Sequence, residues 1–243
     1  MVEQRTFNAW VLGSIPSELT SRSPLLPFRM PTSLSTLVDA RAIVLLQDGR
    51  TRLWHETPPE PMVDESDART VEALVEAQHA ANFVLWHAED EARRPSAGDA
   101  SVAAVKREID RVNQMRNDTG ERLDALLLAS LRAAALGRHG EQHSETPGMM
   151  MDRLSILSLK LFHTREELDR EGAPEGHRER NAKRFSTLQD QRDDLAGCLE
   201  RLWGQICAGE RYFKQYRQLK MYNDPELNPI LYRERHGVTG RRG

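Results

Sequence analysis

The fold is decided by residues 99–137, which read DASVAAVKREIDRVNQMRNDTGERLDALLLASLRAAALG. An apolar side chain recurs at every third or fourth position of this stretch, from Val105 through Ile109 to Leu131. That spacing places the apolar side chains on one face of an α-helix, and Gly137 is a typical helix end. The stretch therefore predicts one long amphipathic helix that packs its apolar face against other helices.

Other segments on both sides of this helix repeat the same helical period. The main ones span residues 64–95, 146–172 and 185–209. Thr146 followed by Pro147 is a typical helix start, because it combines a capping side chain with a proline at the first helical position. Shorter helices are predicted from Leu34 to Gly49 and from Tyr212 to Leu219. No segment shows the period-two alternation that is typical of a sheet.

These helices predict an all-α fold, an antiparallel helical bundle of four to five main helices, because amphipathic helices with short connections bury their faces most simply in that way. Residues 1–33 are rich in Ser, Thr and Pro and predict an irregular N-terminal arm. Residues 34–232 are expected to form a single helical domain, and residues 233–243 a flexible tail. Gly120, inside the long helix, predicts a bend or a close approach.

The charge balance and the apolar runs exclude several classes of protein. Lys and Arg number 34 against 37 Asp and Glu, a formal net charge of -3, which argues against a dedicated nucleic-acid binder. The most apolar stretch, residues 123–136, is interrupted by Asp124 and Arg132 and falls short of the roughly 20 apolar residues of a membrane span. The first residues lack the apolar run of a signal peptide. A cytoplasmic protein is therefore expected.

The long helix carries a second, polar line beside its apolar face. Asp110, Asn113 and Asn117 share this line, and Arg116 stands where the apolar period predicts a hydrophobic residue. Asn and Asp are poor helix formers, so their presence inside a helix indicates an interior network or a ligand that holds them. The alternative is a solvated helix face with ordinary ion pairs between residues four apart.

Polar residues of the other helices extend this set into a predicted inter-helix pocket. Arginine side chains suit the bidentate binding of a phosphate or carboxylate, and the backbone N–H groups near Gly148 form a natural anion site. The expected ligand-binding residues are Trp86, His87, Asp90, Arg93, Asp110, Asn113, Arg116, Asn117, Glu145 and Arg153. The candidates for acid–base catalysis are Glu89, Asp152 and His163.

Metal and cofactor signatures are missing from the sequence. His87, His143 and His163 could ligate a metal ion, but no H-E-x-x-H motif is present and none of the three belongs to an E-x-x-H pair, so no metal site is predicted. The sequence also lacks a Walker loop, G-x-G-x-x-G and G-x-S-x-G. It therefore identifies no cofactor.

Several motifs in the same order carry a family resemblance. They are NFVLWHAEDEAR at 82–93, KREID at 106–110, NQMRND at 113–118, SETPG at 144–148, DRLSIL at 152–157 and YRQLKMYNDP at 216–225. With these motifs, residues 34–232 resemble the bacterial family Domain of Unknown Function 4254. The resemblance implies a helical bacterial protein without an assigned reaction, so no catalytic role is carried over. It also implies genes near envelope glycosyltransferases.

Two functions are favoured at this stage over a third, nucleic-acid binding by the basic residues between Arg211 and Lys220. One is a polar inter-helix pocket for a phosphate- or carboxylate-bearing ligand, such as an anionic small molecule or a sugar phosphate, linked to envelope polysaccharide assembly. The other is a non-catalytic scaffold or interaction protein whose polar stripes are structural networks or a dimer interface. The near-heptad period of residues 185–206 favours a partner helix, either in the same chain or in a homo-oligomer. Whether the protein is an enzyme is left open.

Overall fold

A computed structural model describes residues 34–59, 70–217 and 226–235, and the predicted N-terminal arm lies outside these ranges. Within them the chain forms helices α1 (Ala40–Glu56), α2 (Val71–Ala92), α3 (Asp99–Ala133), α4 (Pro147–Asp169), α5 (His177–Cys207) and α6 (Pro229–Arg235). A 3-10 turn, Leu34–Leu37, precedes α1. Strands β1 (Glu141–His143) and β2 (Arg211–Phe213) lie before α4 and after α5. The predicted all-α helical bundle is confirmed.

Two helical hairpins and one crossing helix build the bundle. Short loops join α2 to α3 and α4 to α5, and each pair packs side by side, while α1 packs mainly on α4. The main core is apolar and contains Leu123, Leu127, Leu154, Leu199 and Trp203, each at most 2% exposed. Burying a side chain of this size contributes about 1.5–3 kcal/mol, so the predicted apolar faces supply the packing that holds the hairpins together.

The predicted start of α4 is confirmed at the level of single atoms. Thr146 is the N-cap, its Oγ1 accepts the N–H of Met149 at 3.2 Å, and Pro147 occupies the first turn. A cap of this kind contributes about 1 kcal/mol. It fixes where α4 begins and therefore which of its side chains face the other helices.

The prediction that Gly49 ends the first helix is wrong. Helix α1 continues through Gly49 to Glu56, where Thr57 caps it. An added Cβ at Gly49 would meet nothing within 4 Å, so this glycine lies on an open side of the helix. Thr51 and Trp54, which follow it, are buried, and their burial offsets the roughly 1 kcal/mol that a helical glycine costs.

The prediction of a short helix beginning at Tyr212 is also wrong. Residues 211–213 form β2, which pairs in parallel with β1 so that Glu141 lies opposite Arg211 and His143 opposite Phe213. Phe213 is 1% exposed and belongs to the core. Pairing with a segment about 70 residues away leaves no local period in the sequence, which is why these two short strands were not predicted.

At Gly120 the structure selects one of the two predicted outcomes. Helix α3 runs unbroken from Asp99 to Ala133. A Cβ at Gly120 would lie 3.0 Å from Nε2 of Gln78 on α2, so the glycine permits a close approach of the two helices. None of the helices in the described ranges is both long and apolar enough to cross a membrane.

Candidate functional site

Some predicted site residues form ordinary surface pairs. Glu89 and Arg93 pair along α2 with an oxygen–nitrogen distance of 2.6 Å, and their side chains are 46% and 69% exposed. Asp110 and Lys106 pair along α3 at 2.9 Å, with Asp110 47% exposed. Exposed pairs four residues apart contribute only a few tenths of a kcal/mol. For these residues the solvated-face alternative describes the structure, and they do not line an inter-helix pocket.

The remaining predicted residues are spread over several other places. Asp90 is exposed on α2, and Asn113 and Asn117 are half-buried on α3. Glu145 and Arg153 pair at 2.7 Å, and both line a groove between α4 and α5. The structure therefore divides the predicted pocket into separate parts.

Arg116 and Asp152 do meet between α3 and α4, as the polar stripe predicted. Oδ1 of Asp152 accepts a hydrogen bond from Nδ2 of Asn82 at 2.8 Å, and Nε of Arg116 lies 3.9 Å from the same oxygen. Nη1 of Arg116 donates to Oδ1 of Asn82 at 3.3 Å. Both charged side chains are less than 30% exposed, so the guanidinium and the carboxylate compensate each other where α2, α3 and α4 converge.

Asn82 also connects this group to a buried chain of hydrogen bonds. Its Nδ2 donates to Oγ of Ser155 at 2.9 Å, and that hydroxyl lies 2.7 Å from Nδ1 of His79. Nε2 of His79 lies 2.9 Å from Oγ1 of Thr51. His79 is fully buried, and burial lowers its pKa to about 3. At neutral pH the ring is therefore uncharged, with one nitrogen donating and the other accepting.

The buried chain reaches the opposite side of the bundle through α1. Oγ1 of Thr51 lies 3.3 Å from Oγ of Ser158, which donates to Oδ1 of Asp48 at 2.7 Å. Arg192 of α5 donates to Oδ2 of the same carboxylate at 2.9 Å. Hydrogen-bonded polar side chains thus link an ion pair on one side of the bundle to an ion pair on the other.

Three histidines from three different helices form a second polar cluster, which we call the histidine cluster. They are His55 of α1, His87 of α2 and His163 of α4, and one ring nitrogen of each lies within 4.8 Å of the other two. The ring centroids are 5.1 Å apart for His55 and His87, 5.0 Å for His55 and His163, and 5.5 Å for His87 and His163. All three side chains are half-buried.

These separations fit three ligands of one metal ion. With metal–nitrogen bonds of about 2.0–2.1 Å and tetrahedral angles, the centroids of three imidazoles on one zinc ion lie roughly 5 Å apart. The three rings of the histidine cluster already have this spacing. The rings are also steeply inclined to each other, at 68° to 78°, as they would be around a common centre.

Hydrogen bonds at the outer nitrogens orient two of the rings. Nδ1 of His55 lies 2.7 Å from the carbonyl oxygen of Thr51, and Nδ1 of His163 lies 2.8 Å from Oε2 of Glu166. A carbonyl and a carboxylate can only accept, so both rings carry their proton on Nδ1 and have a lone pair on Nε2. Both Nε2 atoms are buried and have no hydrogen-bond partner among the described residues. This is the arrangement of metal-ligating histidines, whose second nitrogen donates to a carbonyl or carboxylate.

Aromatic side chains enclose the histidine cluster. The Trp86 ring stacks on His163 with centroids 4.7 Å apart and planes inclined by 5°, and Phe162 stacks on His55 at 4.0 Å. Burial lowers the pKa of His87 to about 4 and that of His163 to about 4. Both rings are therefore neutral at physiological pH, which is the form that binds metals.

Acidic side chains act on His163 of the cluster. The charge of Asp90 raises the pKa of His163 against the larger effect of burial. Partial burial raises the pKa of Glu166, which contacts His163 directly. The negative charges of carboxylates near the rings favour a cation at the histidines.

His55 was missed by the sequence analysis because the first helix was expected to end at Gly49. A signal was nevertheless present, since Gln47, Thr51 and His55 are spaced four residues apart and share one face of α1.

His143, which the sequence grouped with His87 and His163, lies elsewhere, with its Nδ1 2.7 Å from the carbonyl oxygen of Glu145.

The anion site predicted at the start of α4 is occupied by a side chain of the protein. Oδ1 of Asp124 accepts the backbone N–H of Gly148 at 2.9 Å. Burial raises the pKa of Asp124 to about 6, although hydrogen bonds from Thr146 and Gly148 lower it. A Cβ at position 148 would lie 2.7 Å from this oxygen, so glycine is required there. An external anion is not needed at this helix start.

Comparison with known proteins gives one family match. None of the curated proteins and none of the solved structures matches the chain. The family profile covers residues 72–215, more than half of the chain and narrower than the range expected from the motifs. His87 and His163 lie inside this range, and His55 lies before it. The chain belongs to the family described as Protein of unknown function (DUF4254).

Proposed function

We propose that this protein binds one divalent transition-metal ion through His55, His87 and His163, with zinc the best fit to the ligands. The observation that carries the proposal is the convergence of three imidazoles at a spacing of 5.0–5.5 Å, two of them with a buried Nε2 lone pair. Ligands that are all neutral imidazoles suit zinc, copper, nickel and cobalt better than calcium or magnesium. This proposal departs from the sequence-based expectation of no metal site.

Three protein ligands leave a fourth position for water or a substrate. Catalytic zinc sites have this composition, whereas structural sites are closed by four protein ligands. A zinc ion held in this way would lower the pKa of its bound water to near 7 and would so supply hydroxide at neutral pH. Asp90, an exposed carboxylate whose charge acts on His163, would be the candidate to accept a proton from such a water. The proposed activity is therefore of the metal-assisted hydrolytic type.

The test is a titration of the chelator-treated protein with cobalt(II), whose visible absorption reports tetrahedral coordination, followed by competition with zinc. We expect one equivalent to bind, and His87→Gln or His163→Gln to weaken binding by more than tenfold. Glu166→Gln removes only the carboxylate behind His163 and should weaken binding by about tenfold. His143→Gln is the matched control, since this histidine lies outside the cluster, and it should bind as the wild type does.

Two results would contradict the proposal. One is the absence of stoichiometric binding of either metal by the chelator-treated protein. The other is equal affinity in the wild type and in the His87→Gln and His163→Gln variants. Circular dichroism of each variant separates loss of a ligand from loss of the fold.

A second candidate function, a non-catalytic scaffold, is favoured by a different observation. The chain of hydrogen bonds through His79 and Thr51 is buried and joins three helices, as a structural network would. Leu45 and Leu53, two turns apart on α1, are 61% and 44% exposed, which supports contact between copies of the chain. Sedimentation of the wild type and of Leu45→Glu tests this candidate, which requires a larger mass for the wild type.

A ligand linked to envelope polysaccharide assembly remains part of the proposal. The guanidinium of Arg116 already faces the carboxylate of Asp152. It is therefore less available to a phosphate or carboxylate ligand than the three histidines are to a metal ion. An anionic substrate could instead reach the metal directly through the fourth coordination position.

A further inference from the structure

A groove between α4 and α5, which we call the α4–α5 groove, is separate from the histidine cluster. It has a volume of about 920 Å³, and Arg211, the first residue of β2, also lines it. Ligand sites for small molecules have volumes of roughly 300–1,000 Å³. The groove therefore has the size of a binding site that neither the metal nor the buried network uses.

The charge of the groove is opposite to that of the whole chain. Among the described residues, four cations line it, Arg153, Lys160, Arg201 and Arg211, and two carboxylates, those of Glu145 and Asp194. Four positive charges minus two negative charges give +2, whereas the chain as a whole carries -3. The positive charge is thus concentrated here and does not follow from the composition.

Two of these cations lack a carboxylate partner among the described residues. Arg153 pairs with Glu145 at 2.7 Å, and Arg211 pairs with Glu141 at 3.2 Å. Arg201 instead donates to the sulfur of Cys198 at 3.0 Å, a weak acceptor. No ion pair of Lys160 occurs in the described part of the chain. Arg201 on α5 and Lys160 on α4 are therefore available to an anion in the groove.

The floor of the groove is aliphatic. Met150, Ile156 and Leu157 of α4 face Leu195 and Leu202 of α5. In the described part of the chain, no Trp, Tyr or Phe lines the groove. The rings of sugars and bases usually stack on such aromatic side chains in their binding sites. An aliphatic floor below a positive rim fits a flexible hydrocarbon chain that ends in an anionic group.

We propose that the α4–α5 groove binds an amphiphilic phosphate, with its alkyl chain on the leucines and its phosphate on the positive rim to which Arg201 and Lys160 belong. Phosphate monoesters carry between one and two negative charges at neutral pH and accept several charge-assisted hydrogen bonds, which suits a groove with two cations that have no carboxylate partner among the described residues. The proposal is independent of the metal site.

The test is calorimetric titration of the full chain with n-decyl phosphate below its micelle concentration. Inorganic phosphate tests the headgroup alone, glucose 1-phosphate tests a sugar phosphate, and decyltrimethylammonium tests the chain with the opposite charge. We expect n-decyl phosphate to bind at least tenfold more tightly than each of the other three. Between hexyl, octyl and decyl phosphate, affinity should rise by up to about fourfold per methylene, the equivalent of about 0.8 kcal/mol.

The double variant Lys160→Gln, Arg201→Gln should lose at least tenfold in affinity for n-decyl phosphate. Both side chains are exposed, so the fold should be retained. Arg132→Gln, an exposed arginine of α3 outside the groove, is the control and should bind as the wild type does. The double variant should also bind cobalt(II) normally, so a failure here is distinguishable from a failure of the metal proposal.

Three results would overturn the proposal. Equal binding of inorganic phosphate or glucose 1-phosphate would show a site for the headgroup only. Equal binding of decyltrimethylammonium would show an apolar surface that does not select for charge. A change in mass on sedimentation of the double variant, without a change in affinity, would show that the groove is a contact between copies of this chain.

Discussion

One buried carboxyl group, that of Asp124, should contribute stability at low pH that is lost as the pH rises from about 4 to 6, while the buried histidines contribute in the opposite direction. Asp124 is 5% exposed at the start of α4, and burial raises its pKa from 3.8 to about 6. Between these two values the folded state binds more protons than the unfolded state. Folding is therefore favoured at low pH, and this part of the stability is lost as pH rises through 6.

The size of the effect follows from the shift. A difference of about two pKa units corresponds to about 3 kcal/mol, of which about 2 kcal/mol falls between pH 4.5 and 7.5. In Asp124→Asn, the side-chain oxygen can still accept the N–H of Gly148, but the amide group cannot ionise. As the pH rises from 4.5 to 7.5, the unfolding free energy of the variant should increase by about 2 kcal/mol relative to that of the wild type.

The assay is urea unfolding of both proteins at half-unit intervals of pH, with the difference in unfolding free energy plotted against pH. Histidines that are protonated on unfolding contribute equally to both proteins and cancel in this difference. A difference that stays constant across the range would refute the reasoning. A difference of the opposite sign would show that the hydrogen bonds from Thr146 and Gly148 outweigh burial.

Two further predictions concern the packing around the site. Gly148→Ala should destabilise the protein by about 1–3 kcal/mol in urea unfolding, because the added Cβ would lie 2.7 Å from the Asp124 carboxylate. Gly204→Ala, on an open side of α5, is its control and should be neutral or stabilise by up to about 1 kcal/mol, and equal effects would contradict the assigned clash. Ser155→Ala should cost about 1–3 kcal/mol because it leaves Nδ1 of buried His79 without a partner, and a neutral result would mean that the buried chain does not stabilise the fold.

The sequence identified the long helices and their apolar faces because these depend on local periodicity. The start of α4 at Thr146 and Pro147 was predicted at the correct residues, since capping needs only neighbouring side chains. The end of α1 was missed because burial of Thr51 and Trp54, which local pattern does not reveal, outweighs the cost of Gly49. Strand β2 was missed because its partner lies about 70 residues away.

For the site, the sequence supplied the chemical types and the structure supplied their positions. Arg116 and Asp152 meet as the polar stripe predicted, and His87 and His163 were among the candidates. Glu89 pairs with Arg93 on the surface, because a helical period shows which residues share a face but not what that face meets. His55 became a site residue only through the extension of α1.

The sequence by itself determined the all-α bundle, since helical periodicity and caps are encoded within a few neighbouring residues. Only the tertiary structure decided that imidazoles from α1, α2 and α4 converge, and that Arg201 and Lys160 line one groove. The physical reason is that the rotation and offset of each helix against its neighbours result from packing of the whole core. A shift of one residue in any helix would separate these groups without changing the helical pattern of the sequence.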